Sequence, residues 1–325
     1  MRRTTLGNGS PQVSALGLGC MGMSAHYGPR PPQAQSIRTI HRALELGIDL
    51  IDTSASYGAG HNEELVAKAI HDRRDRVFLC TKFGIRRDLG PMRIDSSPNW
   101  ARQSCDESLQ RLGVDHIDLF YLHRRDPQIP IEDTMGAMAD LVATGKVRHL
   151  GLSEVNAQTL RRAHAVYPLT ALQTEYSLLS REVETEILPT CRELGITLVA
   201  YSPIGRALLS GQINTDTAFG DDDLRSSNPR FGDGNRVANL ALVDRLRALA
   251  DEMGVMPAQL ALAWLIARET VPIPGTTYVR HIEANAAAAA IELTSEQIRD
   301  IEELIPADAA AGERLSAAAA RWIGK

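Results

Sequence analysis

The chain has 325 residues, of which 44% are hydrophobic and 23% charged, the balance of a globular protein that buries a core. Its formal net charge of −5 and pI near 6.0 argue against a polyanion-binding surface, so a nucleic-acid partner is not expected. No apolar segment follows the basic first residues, and no apolar run reaches the roughly 20 residues that cross a bilayer. We therefore expect a cytoplasmic protein with no signal peptide and no membrane partner.

The cysteines are widely scattered, and no two of them form a C-x-x-C pair. This distribution favours reduced cytosolic thiols over a disulfide framework or a zinc site, so no metal is expected. The four cysteines are Cys20, Cys80, Cys105 and Cys191.

The first element predicted in chain order is a β-hairpin. Residues 3–6 and 12–15 are predicted as its two strands, and the Gly7-Asn8-Gly9-Ser10 segment between them is typical of a tight turn.

Beyond the hairpin, short apolar runs alternate with amphipathic helical stretches. Most runs lack polar/apolar alternation, which is typical of parallel strands covered on both faces. Ile37, Ile40 and Leu44 form one of the apolar helix stripes between them. A second stripe is formed by Leu242, Leu246, Leu249 and Met253. The predicted strands are residues 16–19, 48–51, 77–80, 117–122, 149–152, 171–173, 196–200 and 271–273.

About eight strand–helix units fit into the chain, which is the repeat number of a (β/α)8 TIM barrel. We predict one such α/β domain over residues 1–325, with a doubly wound sheet as the alternative fold. The alternation of strand and helix segments is interrupted once, after the seventh strand, where residues 205–236 are rich in Gly, Asp, Ser and Asn. This segment predicts a long loop, of a kind that in barrels often folds over the ligand, and the sequence leaves its role here open. A capped helix over residues 294–304 and a short tail follow the last unit.

A literal G-x-G-x-x-G sequence, Gly17 to Gly22, follows the first predicted strand. That fingerprint binds a dinucleotide only when a helix begins there and points its N-terminus at the pyrophosphate. Here the chain continues through a proline-rich segment, and the next helix is predicted near Gln33. We therefore predict a tight turn at this place and no Rossmann site.

Ionisable side chains lie at or just beyond the ends of three consecutive predicted strands. The second strand ends at Asp52 and is soon followed by Tyr57, the third ends at Lys82 and the fourth at His123. Each residue alone has an ordinary structural explanation, such as turn capping or a satisfied core histidine. In a parallel barrel, however, the carboxyl ends of neighbouring strands meet on the face that carries the chemistry. The four residues are therefore predicted to converge in a catalytic site.

At this point the sequence resembles the aldo-keto reductase superfamily, over residues from about 3 to about 305. Within the superfamily it is most similar in style to the pyridoxal reductase and perakine reductase group, through residues 151–155 and 176–178. The segments that carry the resemblance are 51–58 (IDTSASYG), 62–64 (NEE), 81–84 (TKFG), 119–123 (LFYLH), 145–153 (GKVRHLGLS), 173–177 (QTEYS), 201–205 (YSPIG) and 272–276 (PIPGT).

The resemblance implies reduction of aldehydes or ketones with hydride from a nicotinamide cofactor, and chemistry assigns compatible roles. Hydride addition leaves an alkoxide that needs a proton, which Tyr57 can give. We expect the ammonium of Lys82 to lower the Tyr57 pKa from its ordinary value of roughly 10, and Asp52 to hold Lys82. His123 would bind the carbonyl oxygen and orient the substrate.

The cofactor contacts are implied by the resemblance alone. Ser153 and Gln173 would hold the nicotinamide carboxamide, and Tyr201 would stack on the ring. The remaining contacts would be Ser202, Pro203, Ile204 and Gly205 at the pyrophosphate, Gly275, Thr276 and Thr277 at the adenosine phosphate, and Asn285 at the adenine.

Three departures from the family pattern bear on the cofactor. Glu154 replaces the asparagine usual beside the carboxamide serine, and Ala284 stands where a glutamate often meets the adenine. Thr277 and Tyr278 replace the Arg or Lys that commonly meets a 2′-phosphate, and the candidates to supply that charge are Arg225, Arg230 and Arg280. The resemblance favours NADPH, with NADH as the alternative.

The partner implied is a small carbonyl substrate. A rival function is a nicotinamide-binding regulatory subunit of the potassium-channel β type, although no additional N-terminal gating segment is evident. A metal-dependent hydrolase is disfavoured because His41, His61 and His71 are predicted on helices or loops. Candidate residues around the substrate are Met21, Met23, Tyr27, Phe83, Arg124 and Phe231.

Overall fold

The eight-unit rhythm of the sequence builds a closed barrel of parallel strands. A computed structural model describes residues 1–9, 11–86 and 92–324, apart from the side chains of Asp233 and Ala318. Eight strands form one parallel sheet in chain order, each hydrogen-bonded to the next. They are β3 (Leu18–Gly19), β4 (Leu50–Asp52), β5 (Phe78–Phe83), β8 (Ile117–Leu122), β9 (Val147–Ser153), β10 (Ala171–Glu175), β11 (Thr197–Tyr201) and β12 (Val271–Pro272).

Bonds between the first and last strands close the sheet. The backbone N–H of Gly17 donates to Pro272 O at 2.9 Å, and that of Gly19 donates to Pro274 O at 3.4 Å. A parallel bridge also joins Gly19 to Gly275. The predicted (β/α)8 TIM barrel is therefore confirmed, and the doubly wound alternative is wrong.

Helices surround the barrel and cover the outer faces of the strands. None of the described helices is long and apolar enough to cross a membrane. The helices are α1 (Gln33–Glu45), α2 (His61–Ile70), α3 (Pro98–Leu112), α4 (Ile131–Ala143), α5 (Ala157–Val166), α6 (Ile187–Leu194), α7 (Asp233–Glu252), α8 (Pro257–Ala267), α9 (Val279–Ala288), α10 (Ser295–Leu304) and the short α11 (Ala317–Ala320).

Two small antiparallel hairpins lie outside the barrel. The predicted N-terminal hairpin consists of β1 (Arg3–Thr5) and β2 (Gln12–Ser14), while Ser10 of its predicted turn lies outside the described residues. A second hairpin, β6 (Ile85–Arg86) with β7 (Arg93–Ile94), follows the third barrel strand. Its strands are too short to show a hydrophobic period, and the sequence did not predict it.

The glycines at the first barrel strand allow the strands to pack closely. A Cβ on Gly17 would lie 2.5 Å from Leu50 Cδ2, and one on Gly19 would lie 2.8 Å from Ile273 O. The chain then makes a single 3-10 turn, Met21–Met23, and the next helix begins at Gln33. Since no long helix begins directly after these glycines, the rejection of a Rossmann fingerprint is correct. The glycines are present because only glycine fits where these strands approach so closely.

The long loop predicted over residues 205–236 is present after β11, but it ends before residue 236. It contains two 3-10 turns, Leu208–Ser210 and Pro229–Phe231, and α7 already begins at Asp233. Helix α10 begins after its Thr294 cap, whose hydroxyl accepts from the Gln297 N–H, as the sequence predicted.

Candidate active site

The four ionisable residues predicted to converge do so at the carboxyl ends of β4, β5 and β8. Lys82 Nζ lies at the centre of the cluster and is fully buried. It donates to Asp52 Oδ1 at 2.5 Å, to Thr53 O at 2.8 Å and to the Tyr57 hydroxyl at 3.2 Å. The buried ammonium therefore has three acceptors.

The pKa of Tyr57 shifts in the direction opposite to the one expected. Burial raises it above its ordinary value, and the nearby Lys82 charge offsets only part of that effect. Burial also disfavours the Lys82 ammonium, yet Asp52 and Tyr57 favour it enough to raise the Lys82 pKa. The structure thus describes a protonated phenol beside a firmly charged lysine.

His123 stands edge-on to Tyr57, with ring centroids 5.8 Å apart and an interplanar angle of 87°. Its Nδ1 lies 3.2 Å from Ser54 Oγ and 3.4 Å from Ser56 Oγ. A serine hydroxyl that donates to Nδ1 leaves the proton on Nε2, so the ring can donate a hydrogen bond from that nitrogen.

The two residues expected to hold a carboxamide are already tied into this cluster. Gln173 Nε2 donates to Asp52 Oδ2 at 2.8 Å, which leaves its amide oxygen for another partner. Ser153 Oγ accepts from Arg124 Nη1 at 3.1 Å, so its own hydroxyl proton remains available to donate.

A cavity of about 890 Å³ opens over the cluster. Its volume lies near the upper end of the roughly 300–1,000 Å³ usual for cofactor and small-molecule sites. Most of the predicted site residues line it, namely Asp52, Tyr57, His123, Ser153, Gln173, Tyr201, Ser202, Pro203, Ile204, Gly275, Thr276 and Thr277.

Three predicted site residues do not line the cavity. Lys82 lies beneath it, and Gly205 lies within the turn behind the lining residues Ser202 and Ile204. Asn285 is buried on α9. Around the turn, Ser202, Arg206 and Ala207 have φ values of 49°, 53° and 75°, a strained backbone of the kind found at ligand-binding turns.

Some of the candidate substrate residues line the cavity and others do not. Met21, Tyr27 and Arg124 line the cavity. Met23, Phe83 and Phe231 instead belong to the hydrophobic core, where Phe83 stacks on Phe120 with centroids 4.9 Å apart.

Of the three arginines considered for a 2′-phosphate, two are bound elsewhere. Arg225 makes an ion pair with Asp223 at 2.6 Å, and Arg230 donates to Ser180 Oγ at 2.6 Å. Arg280 lies in the first turn of α9, over the Tyr278 ring at 4.8 Å from its centroid, with no carboxylate partner among the described residues. Of the three it alone makes no bond to a described carboxylate or hydroxyl oxygen; it is exposed three residues after Thr277 in the sequence, does not line the cavity, and its Nε donates to His281 Nε2 at 3.3 Å.

Glu154, the departure beside Ser153, holds the C-terminal tail. Its carboxylate accepts from Arg314 at 2.7 Å and 3.0 Å, and its backbone oxygen accepts from the Gly324 N–H at 2.8 Å. Burial opposes ionisation of this carboxyl, but Arg314 and other donors lower its pKa to about 2. The Glu154 carboxylate is thus already hydrogen-bonded by donors of the protein itself.

The tail and the second hairpin supply cavity walls that the sequence reasoning missed. The tail was predicted only as a short extension, although the substitution at Glu154 signalled a changed neighbour at that strand end. The missed lining residues are Ile85, Met92 and Ile94 of the hairpin region, and Leu315, Ser316, Ala319, Arg321, Trp322 and Ile323 of the tail.

The cysteines and acidic residues give no sign of a metal centre. Within the ranges described above, no group of three or more His, Cys, Asp or Glu could hold an ion, and all four cysteines are free and buried.

Fold and site together define a (β/α)8-barrel protein with its ionisable cluster at the carboxyl ends of the strands, under a cofactor-sized cavity. The family model of the Aldo/keto reductase family matches residues 15–306. The chain belongs to the aldo/keto reductase family, a family of oxidoreductases.

Solved structures of family members resemble the chain over nearly its whole length. A glycerol dehydrogenase from Gluconobacter oxydans is 29% identical, with a TM-score of 0.85, over 93% of this chain and 94% of its own. An aldo-keto reductase from Bacillus halodurans in its holo form is 27% identical, with a TM-score of 0.78, over 94% and 97%. An aldo/keto reductase from Klebsiella pneumoniae in complex with NADP and acetate is 28% identical, with a TM-score of 0.75, over 97% and 99%. The pyridoxal and perakine reductase subgroup stays a prediction.

Proposed function

We propose that this chain reduces aldehydes or ketones to alcohols with NADPH, and that Tyr57 gives the proton. The observation that carries the proposal is the bond from Lys82 Nζ to the Tyr57 hydroxyl at the floor of the cavity. A bound nicotinamide would supply the hydride.

The donor set of the cavity suits a nicotinamide cofactor. The hydroxyl proton of Ser153 and the amide oxygen of Gln173 are free to bind a carboxamide, and Tyr201 lines the same cavity. Residues Ser202 to Ile204 and Gly275 to Thr277 extend the lining toward the N-terminus of α9, where backbone N–H groups favour an anion. We assign the carboxamide and phosphate contacts to these residues.

The proton step follows from the acidity of the groups in the cluster. An alkoxide is a stronger base than a phenolate, so it takes the Tyr57 proton even though burial raises that pKa. The Lys82 ammonium stabilises the phenolate that remains, and Asp52 keeps Lys82 charged and in place. His123 orients the carbonyl oxygen by donating from Nε2.

The preference for NADPH is supported by Arg280, the candidate cation near Thr277 that no described carboxylate neutralises. The Klebsiella pneumoniae relatives were solved with NADP and with NADPH. We infer that Arg280 contacts a 2′-phosphate, which NADH lacks.

The direct test mixes purified protein with NADPH and uncharged aldehydes such as benzaldehyde, and follows the absorbance of NADPH while alcohol is assayed. We expect one alcohol per NADPH oxidised, and a higher kcat/KM with NADPH than with NADH. Tight NADPH binding without multiple turnover would contradict the reductase and favour the regulatory-subunit function.

A further inference from the structure

The charged residues that line the cavity are mostly cations, although the whole chain carries a net charge of −5. Asp52 is the only carboxylate among the described lining residues, and it is held by Lys82. The arginines that line the cavity are Arg124, Arg206, Arg225 and Arg321.

Two of these arginines are neutralised by ion pairs. Arg206 donates to both oxygens of Glu175 at 2.7 Å and 2.8 Å, and Arg225 pairs with Asp223. Arg321 is exposed at the rim, over the Trp322 ring. Arg124, next to His123, is the half-buried lining cation that makes no direct ion pair with a described carboxylate, although its charge acts on Glu154.

Arg124 directly follows His123 and is braced by its neighbours. Its Nη1 donates to His123 O at 2.6 Å and to Ser153 Oγ at 3.1 Å. Among the described residues, no carboxylate forms an ion pair with Arg124, and no acceptor binds its Nε or Nη2. The Arg124 charge also reaches the phenol, since it acts to lower the Tyr57 pKa against burial.

The cavity that Arg124 lines also has large apolar or aromatic side chains in its wall, among them Met21, Tyr27, Leu224 and Trp322. The Trp322 indole N–H is buried without an acceptor in the described structure. A carboxylate in an apolar cavity needs a cation and hydrogen-bond donors to offset its lost hydration. A guanidinium meets that need best, because its planar fork matches the two carboxylate oxygens.

We propose that Arg124 selects carbonyl substrates that carry a carboxylate, which its free N–H groups bind while the carbonyl faces Tyr57 and His123. This inference rests on the proposed reductase function and leaves its hydride and proton steps unchanged. The substrates are thus oxo acids, which carry an aldehyde or ketone group together with a carboxylate.

The test compares each acid with its uncharged methyl ester. The pairs are 4-carboxybenzaldehyde with methyl 4-formylbenzoate, and succinic semialdehyde with methyl 4-oxobutanoate. Wild type should show a higher kcat/KM for the acid in at least one pair. In Arg124→Gln the ratio of acid to ester should fall by about tenfold to a hundredfold, mainly through KM of the acid, as expected for loss of a charged hydrogen bond.

The matched control is Arg125→Gln, which removes the next arginine along the chain. Arg125 donates to Ile129 O and does not line the cavity, so its ratio of acid to ester should equal that of wild type. NADPH affinity is measured in both variants. Equal losses for acid and ester in Arg124→Gln, or no preference for either acid in wild type, would overturn the proposal.

Failure of the reductase function itself has a different signature. In that case wild type would oxidise NADPH with none of the four compounds and with no uncharged aldehyde. The role of Arg124 is then decided by calorimetry with benzoate. Binding to wild type that weakens at least tenfold in Arg124→Gln sustains carboxylate recognition, and equal or absent binding rejects it.

Discussion

The site around Tyr57 shows that a residue pattern can predict which side chains converge but not how acidic they are. Strand ends bearing Asp52, Lys82 and His123 predicted convergence, because parallel strands in register bring such ends together. The sign of the Tyr57 pKa shift depends on how completely the phenol is buried, and sequence spacing carries no measure of that. Lys82 does act to lower the Tyr57 pKa, as expected, but desolvation outweighs its charge, so the net shift of the pKa is upward.

The role of Glu154 was equally inaccessible from sequence. Its partner Arg314 lies 160 positions away, in a tail whose path no periodic pattern predicts. A substitution at a family position showed only that some contact had changed.

At the same scale, Arg280 provides a prediction about the cofactor. Arg280→Ala should raise KM for NADPH by roughly tenfold and leave KM for NADH unchanged, since one charge-assisted contact to a phosphate is lost. Steady-state kinetics with both cofactors measure the change. Arg299→Ala, an exposed arginine on α10, is the control, and parallel losses with NADH would contradict the 2′-phosphate assignment.

Among the elements, the strands of the barrel and the amphipathic helices could be predicted, and the second hairpin and the helix of the tail could not. Strand β8 was predicted with its observed bounds because all six of its residues are buried. The β6–β7 hairpin has two residues per strand, and the tail has one four-residue helix. These elements are held by tertiary contacts, which local sequence does not reveal.

The tail is held to the barrel by the ion pair of Glu154 and Arg314. Arg314→Gln should destabilise this contact by about 3 kcal/mol, because a buried carboxylate loses its charged partner. Hydrogen exchange at the Gly324 N–H and proteolysis within the tail should both accelerate. Arg321→Gln, in the same tail but without an ion pair in the described structure, should change neither rate.

This contact should also depend on pH. The folded pKa of Glu154 is about 2, below its ordinary 4.5, so its contribution to stability is present above pH 4.5 and is lost as pH falls toward 2. Glu154→Gln removes that part of the pH dependence. A difference in unfolding free energy between wild type and Glu154→Gln that stays constant from pH 6 to pH 2 would contradict the assignment.

For the molecule as a whole, the repeat count was enough to predict the barrel, because eight strand–helix units with covered strands have few other solutions. The contact between the first and last strands that closes the barrel depends on Gly17, Gly19 and Gly275, and the sequence displayed Gly17 and Gly19 as part of a false dinucleotide motif. Their true role emerged only when the first and last strands were seen in contact.

Closure of the barrel gives the prediction at this scale. Gly19→Ala would place a Cβ 2.8 Å from Ile273 O, so the free energy of unfolding should fall by about 2 kcal/mol as the first and last strands are forced apart. Gly136→Ala is the matched control on α4, where the new Cβ meets nothing within 4 Å. That change should stabilise by up to about 1 kcal/mol through helix propensity. Urea unfolding measures the free energy of unfolding of both variants. If Gly19→Ala stabilised the protein as much as Gly136→Ala does, the close contact proposed between the first and last strands would be contradicted.

The most direct test of the proposed function is the single-turnover rate of NADPH oxidation by Tyr57→Phe with benzaldehyde. We predict a rate about 10²- to 10⁴-fold below that of wild type, with NADPH affinity unchanged, because only the proton donor is removed. Tyr167→Phe, a tyrosine after α5 that does not line the cavity, should react at the wild-type rate. A wild-type rate in Tyr57→Phe would contradict the assignment of Tyr57 as the proton donor.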